Sequence, residues 1–506
     1  MPRDSFLYYD VEGFAQLHVL EERSMSLKTP QEYLDSLHDD RTVYYRGERV
    51  DDVTTHPVIS KAAKHACVDY EMAEDPETRE LAVVEGDELD GDEPYSRYFK
   101  IPRSNEDLLK RSSLIEASTA RGKTLVPLVK EIGTDALFAL HRISREVDKQ
   151  YGTSYRSRVE SFYQHCKDND LTMSVAQTDV KGDRSGGPSN QPHPDYYLRI
   201  VKRTADGIVV RGAKVHTSCT TNVNEVIVLP TRAMSEADAD YAVAFAVPPD
   251  TKGLSLIASP YGGSPKNNFE APLSADRKMM ETTTVFDDVF VPWERVFLAG
   301  EYDFAGPLAL GFVEYHRFTA VSYKLPLVDA LVGSAQLMAD MNGIARAGHV
   351  RDKFVALISY AETVRGLIHL AASRGQADEE GIYAPDAMTT NIAKYHFAHH
   401  YHEALEYVQD IAGGMLVTAP SVEDFANPEI GDLLRYYLGG REGVDGEDRV
   451  RALNMVSDLT TGEFGGYHAV LAIHAEGSLE AEKLMIARSY DGQRTFNFAK
   501  LLAGLE

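Results

Sequence analysis

Cysteine is scarce. Cys67, Cys166 and Cys219 are the only three in 506 residues, and they lie far apart. No Cys-x-x-Cys pair occurs, so neither a zinc ribbon nor a disulfide framework is supported. The odd, low count fits a reducing cytoplasm. Trp293 is the single tryptophan. No run of about 18 apolar residues is found, which sets a membrane span aside. The opening stretch MPRDSFLYYDVEGFAQLHVL lacks the basic start and long apolar core of a signal peptide. Met25 begins MSLKTPQEYLDSLHDDR, so residues 1–24 are either a short extension or an upstream start. Basic residues are outnumbered, 52 Lys and Arg against 78 Asp and Glu, for a net charge of −26. That field repels nucleic acid and anionic membranes, while local Lys/Arg pockets can still hold an anionic ligand. No Gly-rich loop joins a strand to a helix, which excludes a Rossmann fingerprint and a P-loop.

What is present is a chain too long for one core, with texture that changes twice. Residues 25–165 read as helical, 166–300 as short β-rich runs, and 301–506 as helical again. Thr29-Pro30 suits a helix start, and Arg46-Gly47 the centre of a short hairpin. VISKAAKHACVDYEMAED and LIEASTARGKTLVPLVKEI both read as helix, and VVEGDELDGDEPYS as a solvated acidic loop. Asp206-Gly207 is a turn into the strand IVV. In VFDDVFVPWERVF an Asp287-Asp288 turn breaks the β-formers, and Pro292 stops the run. EYHRFTAVSYKLPLVDALVGSAQLMADMNG follows as a helix bent at Pro326. Gly413-Gly414 and Gly465-Gly466 lie between helical runs and suit helix C-caps.

On that helix His316, Ala320, Tyr323 and Lys324 fall at i, i+4, i+7 and i+8, on one face at a domain junction. An imidazole, a phenol and an amine on one face suit proton transfer, although polar packing gives the same pattern. QTDVKGDRS, Gln177 to Ser185, follows a strand and can offer backbone N–H groups to a polar ring or phosphates, or be a plain surface loop. KVHTSCTTN, Lys214 to Asn222, offers hydroxyls on a strand. His396, His399, His400 and His402 crowd one helical stretch, and a polar helix face explains them better than a metal.

AQTDVKGDRS, DGIVVRGAKVH, VFVPWERVFLAGEYDFAG, EYHR, DIAGGMLVTAPS, NPEIG and MIAR occur in this order. With SLKTPQEYLDSLHDDR they resemble the flavoprotein family of 4-hydroxyphenylacetate 3-hydroxylase and 4-hydroxybutyryl-CoA dehydratase. Several of these stretches are closer to the dehydratase branch. The resemblance implies an α+β, acyl-CoA-dehydrogenase-like fold: N-terminal helical domain, middle β-barrel-like domain, C-terminal four-helix bundle, usually a cytoplasmic homotetramer. It implies FAD held by Thr178, Lys181, Asp183, Arg184, Thr217 and Ser218. Gln409, Gly413 and Gly414 match the segment that receives the nucleotide end in a neighbouring subunit.

Glu281 and Lys324 match the dehydratase branch, and His316 matches the histidine ligand of its [4Fe–4S] cluster. The three cluster cysteines correspond to Pro127, Glu131 and Tyr323, and such a cluster needs thiolates. No iron–sulfur cluster and no other metal is therefore expected. A tyrosine associated with catalysis there corresponds to Ala320, and a late glutamate to Ala469 or Val470. The hydroxylase branch's phenol-binding set is absent too: this chain reads Gly122-Lys123-Thr124-Leu125-Val126-Pro127, with Val175 at the place of a substrate histidine. Two reactions stay open. One is a flavin monooxygenase using O₂ and FAD reduced by a separate reductase. The other is a cluster-free dehydratase, isomerase or desaturase on an acyl thioester. In either, His316, Lys324, Glu281 and Tyr323 are the expected catalytic groups, acting on a small organic substrate.

Overall fold

The structure, a computed structural model, describes residues 27–91, 93–264 and 266–505. The expectation for residues 1–24 lies outside the described residues. Thr29 caps Pro30–Asp35 through reciprocal bonds with Glu32, and Pro30 opens the helix where an N–H has no partner anyway. Arg46 and Gly47, at φ 52° and 86°, make the tight turn between Val43–Tyr45 and Glu48–Val50.

That hairpin does not stay with the N-terminal helices. It forms the edge of a six-stranded sheet ordered Glu48–Val50, Val43–Tyr45, Leu254–Ala258, Glu281–Pro292, Gly207–Ser218, Arg199–Arg203. Val43 pairs with Leu256 in parallel. A four-stranded sheet, Val296–Ala299, Val243–Val247, Glu225–Val228, Met173–Ala176, shares its core. Every residue of Val243–Val247 and Glu225–Val228 is buried, as in strands covered on both faces.

Several sequence expectations are corrected. Asp287-Asp288 is a β-bulge, not a turn: Phe286 pairs with Gly212 and Val289 with Val210 on the same neighbouring strand. Asp288 takes φ 53° there and binds Arg211. The LIEASTARGKTLVPLVKEI helix ends at Arg121. A Cβ on Gly122 would stand 2.1 Å from the Leu125 carbonyl oxygen. Lys123, Thr124 and Leu128 then take positive φ, so Gly122–Lys130 is an irregular loop between Asn105–Arg121 and Glu131–Tyr151. VISKAAKHACVDYEMAED divides at Cys67 into Ser60–Ala66 and Val68–Glu74. The acidic stretch is only partly solvated, because Val83–Val84 pairs with Tyr95–Ser96 and Glu88 binds Arg97 and Lys110. Gly465-Gly466 lies inside Glu463–His474, where Gly465 packs directly on the Thr460 backbone.

The C-terminal half is helical: Ala305–Tyr323, Leu325–Met341, Gly348–Ser373 and Ala387–Ala412 are its longest elements. The bend expected at Pro326 is a break at Lys324, with Pro326 in the first turn of the next helix. Gly348–Ser373 is long and apolar enough to cross a membrane by length and composition, although Glu362 and Arg365 interrupt its apolar residues. It packs among the other helices, and its Arg365 binds Glu116 at 2.6 Å and Asp329 at 2.7 Å. After Glu463–His474 the chain turns sharply at Glu476 and Gly477, φ 56° and 113°, into Leu479–Ser489, which lies on Ala387–Ala412.

Candidate active site

A cleft of about 930 Å³ runs between the sheets, the Gly122–Lys130 loop, Ala305–Tyr323 and the turn at Glu476. Glu281, His316, Tyr323 and Lys324 all line it. Ala320, on the same helix, is fully buried and does not.

His316 stacks on Phe312, ring centres 5.0 Å apart and 12° from parallel. Its Nδ1 lies 3.2 Å from Oδ2 of Asp135, a fully buried carboxylate. Asp135 also accepts from Arg111 at 2.8 Å and from Thr319 at 2.9 Å. A carboxylate can only accept, so Nδ1 carries the proton and Nε2 is the nitrogen left for the cleft.

Glu281 opens its strand beside Ser218. Its carboxylate accepts from Ser218 Oγ at 2.9 Å and from Tyr467 at 2.6 Å. Burial pushes the carboxyl above its ordinary value, against those two bonds.

Tyr323 and Lys324 converge on one acceptor, Glu476. The phenol donates to one oxygen of its carboxylate, and the Lys324 ammonium to the other at 2.9 Å. Lys394 stands 3.7 Å from the same carboxylate, and Arg317 holds the Glu476 carbonyl at 2.8 Å. Burial alone would raise the Glu476 carboxyl; Lys324, Lys394 and His316 overcome it and hold it at about 2. Burial lowers Lys324 to about 8, although Glu476 pulls the other way. Beside them His468 is held neutral at about 3, by burial first and then by Lys324.

The loop residues Thr178, Lys181 and Arg184 line the same cleft, joined by Gln177 and Arg232, and Ser218 lines it beside Glu281. Asp179 pins this loop by accepting from Lys214 and from the Leu198 N–H, each at 2.9 Å. Lys181 is lowered by burial and then by Arg184. Two expected flavin contacts do not reach the cleft. Asp183 is turned into its own exposed loop, accepting from Ser185. Thr217 points to the opposite side of its strand from Ser218, bonded to Thr282 and Thr284 at 2.6 Å. Gln409, Gly413 and Gly414 lie apart at the C-terminal end of Ala387–Ala412, where an added Cβ on either glycine meets nothing. His396, His399, His400 and His402 form part of no metal-capable group among the described residues. His396 and His400 face each other at 4.7 Å, and His400 meets Glu403 at 3.3 Å.

Sequence reasoning missed Asp135, Tyr467, His468, Glu476, Lys394 and Arg232. Asp135 carried a signal, a second carboxylate one turn beyond Glu131 in an otherwise apolar stretch. Tyr467-His468 directly follows the flagged Gly465-Gly466. Glu476 carried none.

The 4-hydroxyphenylacetate 3-hydroxylase N-terminal family matches residues 29–298, and its C-terminal counterpart residues 305–504. The chain belongs to the 4-hydroxyphenylacetate 3-hydroxylase family. Two curated relatives of this family member represent different chemistries. It is 33% identical to the 4-hydroxybutyryl-CoA dehydratase/vinylacetyl-CoA-Δ-isomerase of Clostridium aminobutyricum, over 95% of this chain and 100% of the relative. It is 30% identical to the 4-hydroxyphenylacetate 3-monooxygenase oxygenase component of Thermus thermophilus, over 87% and 89%. Solved structures divide the same way. An oxygen-tolerant archaeal 4-hydroxybutyryl-CoA dehydratase from N. maritimus aligns with TM-score 0.88 at 32% identity, over 95% of both chains. A 4-hydroxyphenylacetate 3-monooxygenase oxygenase component complexed with FAD aligns with TM-score 0.86 at 26% identity, over 94% of this chain and 98% of that one. The mixed helix-and-sheet fold is therefore that of the family's enzymes.

Proposed function

We propose that this family member binds FAD in the cleft and is the oxygenase component of a two-component flavin monooxygenase. A separate reductase would supply reduced FAD, and a small organic compound would be the substrate. One observation carries the reading: a cationic, donor-rich loop and a set of proton-holding side chains line the same cleft. Lys181, Arg184 and Arg232 make no ion pair among the described residues, and the Gln177 and Thr178 side chains make no hydrogen bond there. Such unanswered donors suit a pyrophosphate and a polar ring edge. FAD bound there supplies electron transfer and, when reduced, reaction with O₂. His316 takes or returns a substrate proton at Nε2, with Asp135 fixing the ring. Lys324 stabilises a developing oxyanion. Glu281, raised by burial and hydrogen-bonded by Ser218 and Tyr467, is placed to exchange a proton with the substrate. Gln409 and Gly413, half-buried, and Gly414, exposed in one copy, support an oligomer, a tetramer on family precedent, in which a neighbouring subunit meets the cofactor's nucleotide end.

The donor set does not suit an iron–sulfur cluster. His316 could offer only its Nε2, while Tyr323 is committed to Glu476 and Pro127 and Glu131 bring no thiol. The nearest thiol, Cys219, donates to the Pro127 carbonyl at 3.6 Å, and burial raises it well above its ordinary value. Thiolate ligation requires the opposite.

A second reading, a cluster-free isomerase or dehydratase of an acyl thioester, draws on Glu281. A buried carboxyl pushed upward is the base that proton abstraction next to a thioester carbonyl needs. One experiment separates the two. The protein loaded with reduced FAD is offered 4-hydroxyphenylacetate or 4-nitrophenol under ¹⁸O₂, and the protein loaded with oxidised FAD is separately offered 4-hydroxybutyryl-CoA or vinylacetyl-CoA without oxygen. Incorporation of ¹⁸O into a phenolic product is expected. Anaerobic conversion of a thioester with no oxygenated product would overturn the first reading in favour of the second.

A further inference from the structure

A second cavity of about 630 Å³ adjoins the cleft. The two share Glu281 and Tyr467 among their lining residues, so the Glu281–Tyr467 pair stands at the boundary between them. The outer wall is Ser259–Gly262 together with Lys266, Arg277 and Lys278.

The charges on this wall are not balanced from within. Lys266 is answered by Asp458 at 3.8 Å and Glu463 at 3.7 Å. Lys278 donates to the Tyr261 carbonyl at 2.5 Å and touches no carboxylate, with Glu463 acting on it only at longer range. Arg277 makes no hydrogen bond or ion pair among the described residues, and its Nε is buried without an acceptor. A buried guanidinium N–H left without an acceptor is costly. In a chain with 78 Asp and Glu against 52 Lys and Arg, a carboxylate partner was readily available and is not there. An arginine kept unpaired next to a half-buried lysine is what a reversibly bound oxyanion requires, because a resident carboxylate would compete with it. The space is also larger than one carboxylate fills, and leaves room for the linker that joins the anion to the reacting end.

We propose that this annex binds an oxyanion, carboxylate or phosphate, carried by the substrate, with Arg277 and Lys278 as its ligands, so that the reacting end of the molecule lies at Glu281. The last clause rests on Glu281 belonging to the active centre; the anion site itself does not.

The test is residue-specific labelling. Burial first brings the Lys278 amine down to about 8, so it reacts with trinitrobenzenesulfonate near neutral pH, and peptide mapping reads its rate alone. The full-length protein is labelled with and without oxidised FAD, in the presence of pyrophosphate, of butyrate, or of sodium chloride at matched ionic strength. At least about tenfold protection of Lys278 is expected from one of the two oxyanions and not from chloride, corresponding to occupancy well above the dissociation constant. Protection by pyrophosphate alone identifies a phosphate-bearing substrate; protection by butyrate alone identifies a carboxylic acid. Arg277→Gln is expected to abolish protection while leaving the unprotected labelling rate unchanged. Should Arg277→Gln fail to fold, calorimetric titration of Lys278→Gln with the protecting anion reads the same site, and about tenfold weaker binding is expected. No protection by either oxyanion, equal protection by chloride, or protection undiminished in Arg277→Gln overturns the proposal. No turnover enters these readouts, so failure of the ¹⁸O₂ experiment leaves them standing.

Discussion

Replacing Glu476 by glutamine tests the charge arrangement of the cleft directly. The carboxyl titrates at about 2 instead of 4.5; burial opposes that, and Lys324, Lys394 and His316 bring it about. A displacement of this size corresponds to roughly 3 kcal/mol of stability. Because the folded value is depressed, the contribution is complete above pH 4.5 and is lost as the pH falls from 4.5 towards 2. Lys324 works in the other direction. Burial first takes it from 10.5 to about 8, which costs the native state roughly 3 kcal/mol below pH 8 and is relieved between 8 and 10.5. In the natural protein the two terms nearly offset each other. Glu476→Gln removes the favourable one and leaves a buried ammonium beside Lys394, so a loss of roughly 3 kcal/mol at pH 7 is expected. Urea denaturation from pH 4 to pH 9.5 measures it. The gap to the natural protein should narrow below pH 4.5, and narrow again as the pH rises towards 8, because Lys324, no longer raised by Glu476, sheds its proton below the value of about 8 it has in the natural protein. Adding Lys324→Met to Glu476→Gln should recover most of the loss. A Glu476→Gln protein as stable as the natural one at pH 7, or a deficit that is flat across this range, would refute the reasoning.

Substitution His316→Gln should leave FAD affinity unchanged and lower turnover by about 10² or more, the usual scale for losing a general acid or base. Asp135→Asn should shift the pH profile of turnover, because an amide no longer dictates which ring nitrogen carries the proton. Arg184→Gln, at an exposed and unpaired position, should weaken FAD binding by about tenfold in a fluorescence titration without changing the melting temperature. In Gly414→Ala the added Cβ meets nothing within 4 Å in one copy of the chain. The isolated fold should tolerate it, while assembly measured by sedimentation and affinity for FAD should both fall. A variant with natural assembly and affinity rules out a neighbouring subunit at this position.

Local chemistry was legible in the sequence where it acts locally. The Thr29 cap, the Arg46-Gly47 turn and the spacing of His316, Tyr323 and Lys324 depend on neighbours a few residues away. Glu281 could not be placed near them by spacing, and only the resemblance associated it with that group. Glu476 was invisible because its role comes from long-range convergence: it follows a helix end, in a left-handed turn, and acts on side chains some 150 positions earlier (Lys324, |i−j| 152). The Asp287-Asp288 bulge was misread because acidic pairs usually punctuate, whereas here both flanks pair with one partner strand and the sheet absorbs the excess. The Gly122 loop was misread because its apolar residues keep helical spacing while the backbone cannot, the Gly122 site having no room for a Cβ.

The parallel pairing of Val43 with Leu256 has a consequence for biosynthesis. The hairpin emerges from the ribosome early, but the strand that covers its edge is made only after most of both sheets. Through that interval the Val43–Tyr45 edge is an open template for other strands, including those of a second nascent chain. Cutting the gene at residue 165, where the sequence texture changes, would make that exposure permanent in one fragment and strip an edge from the sheet in the other. The two fragments should therefore regain solubility only when co-expressed. Both sheets are complete only at Ala299, whatever the order of helices and strands along the chain suggests.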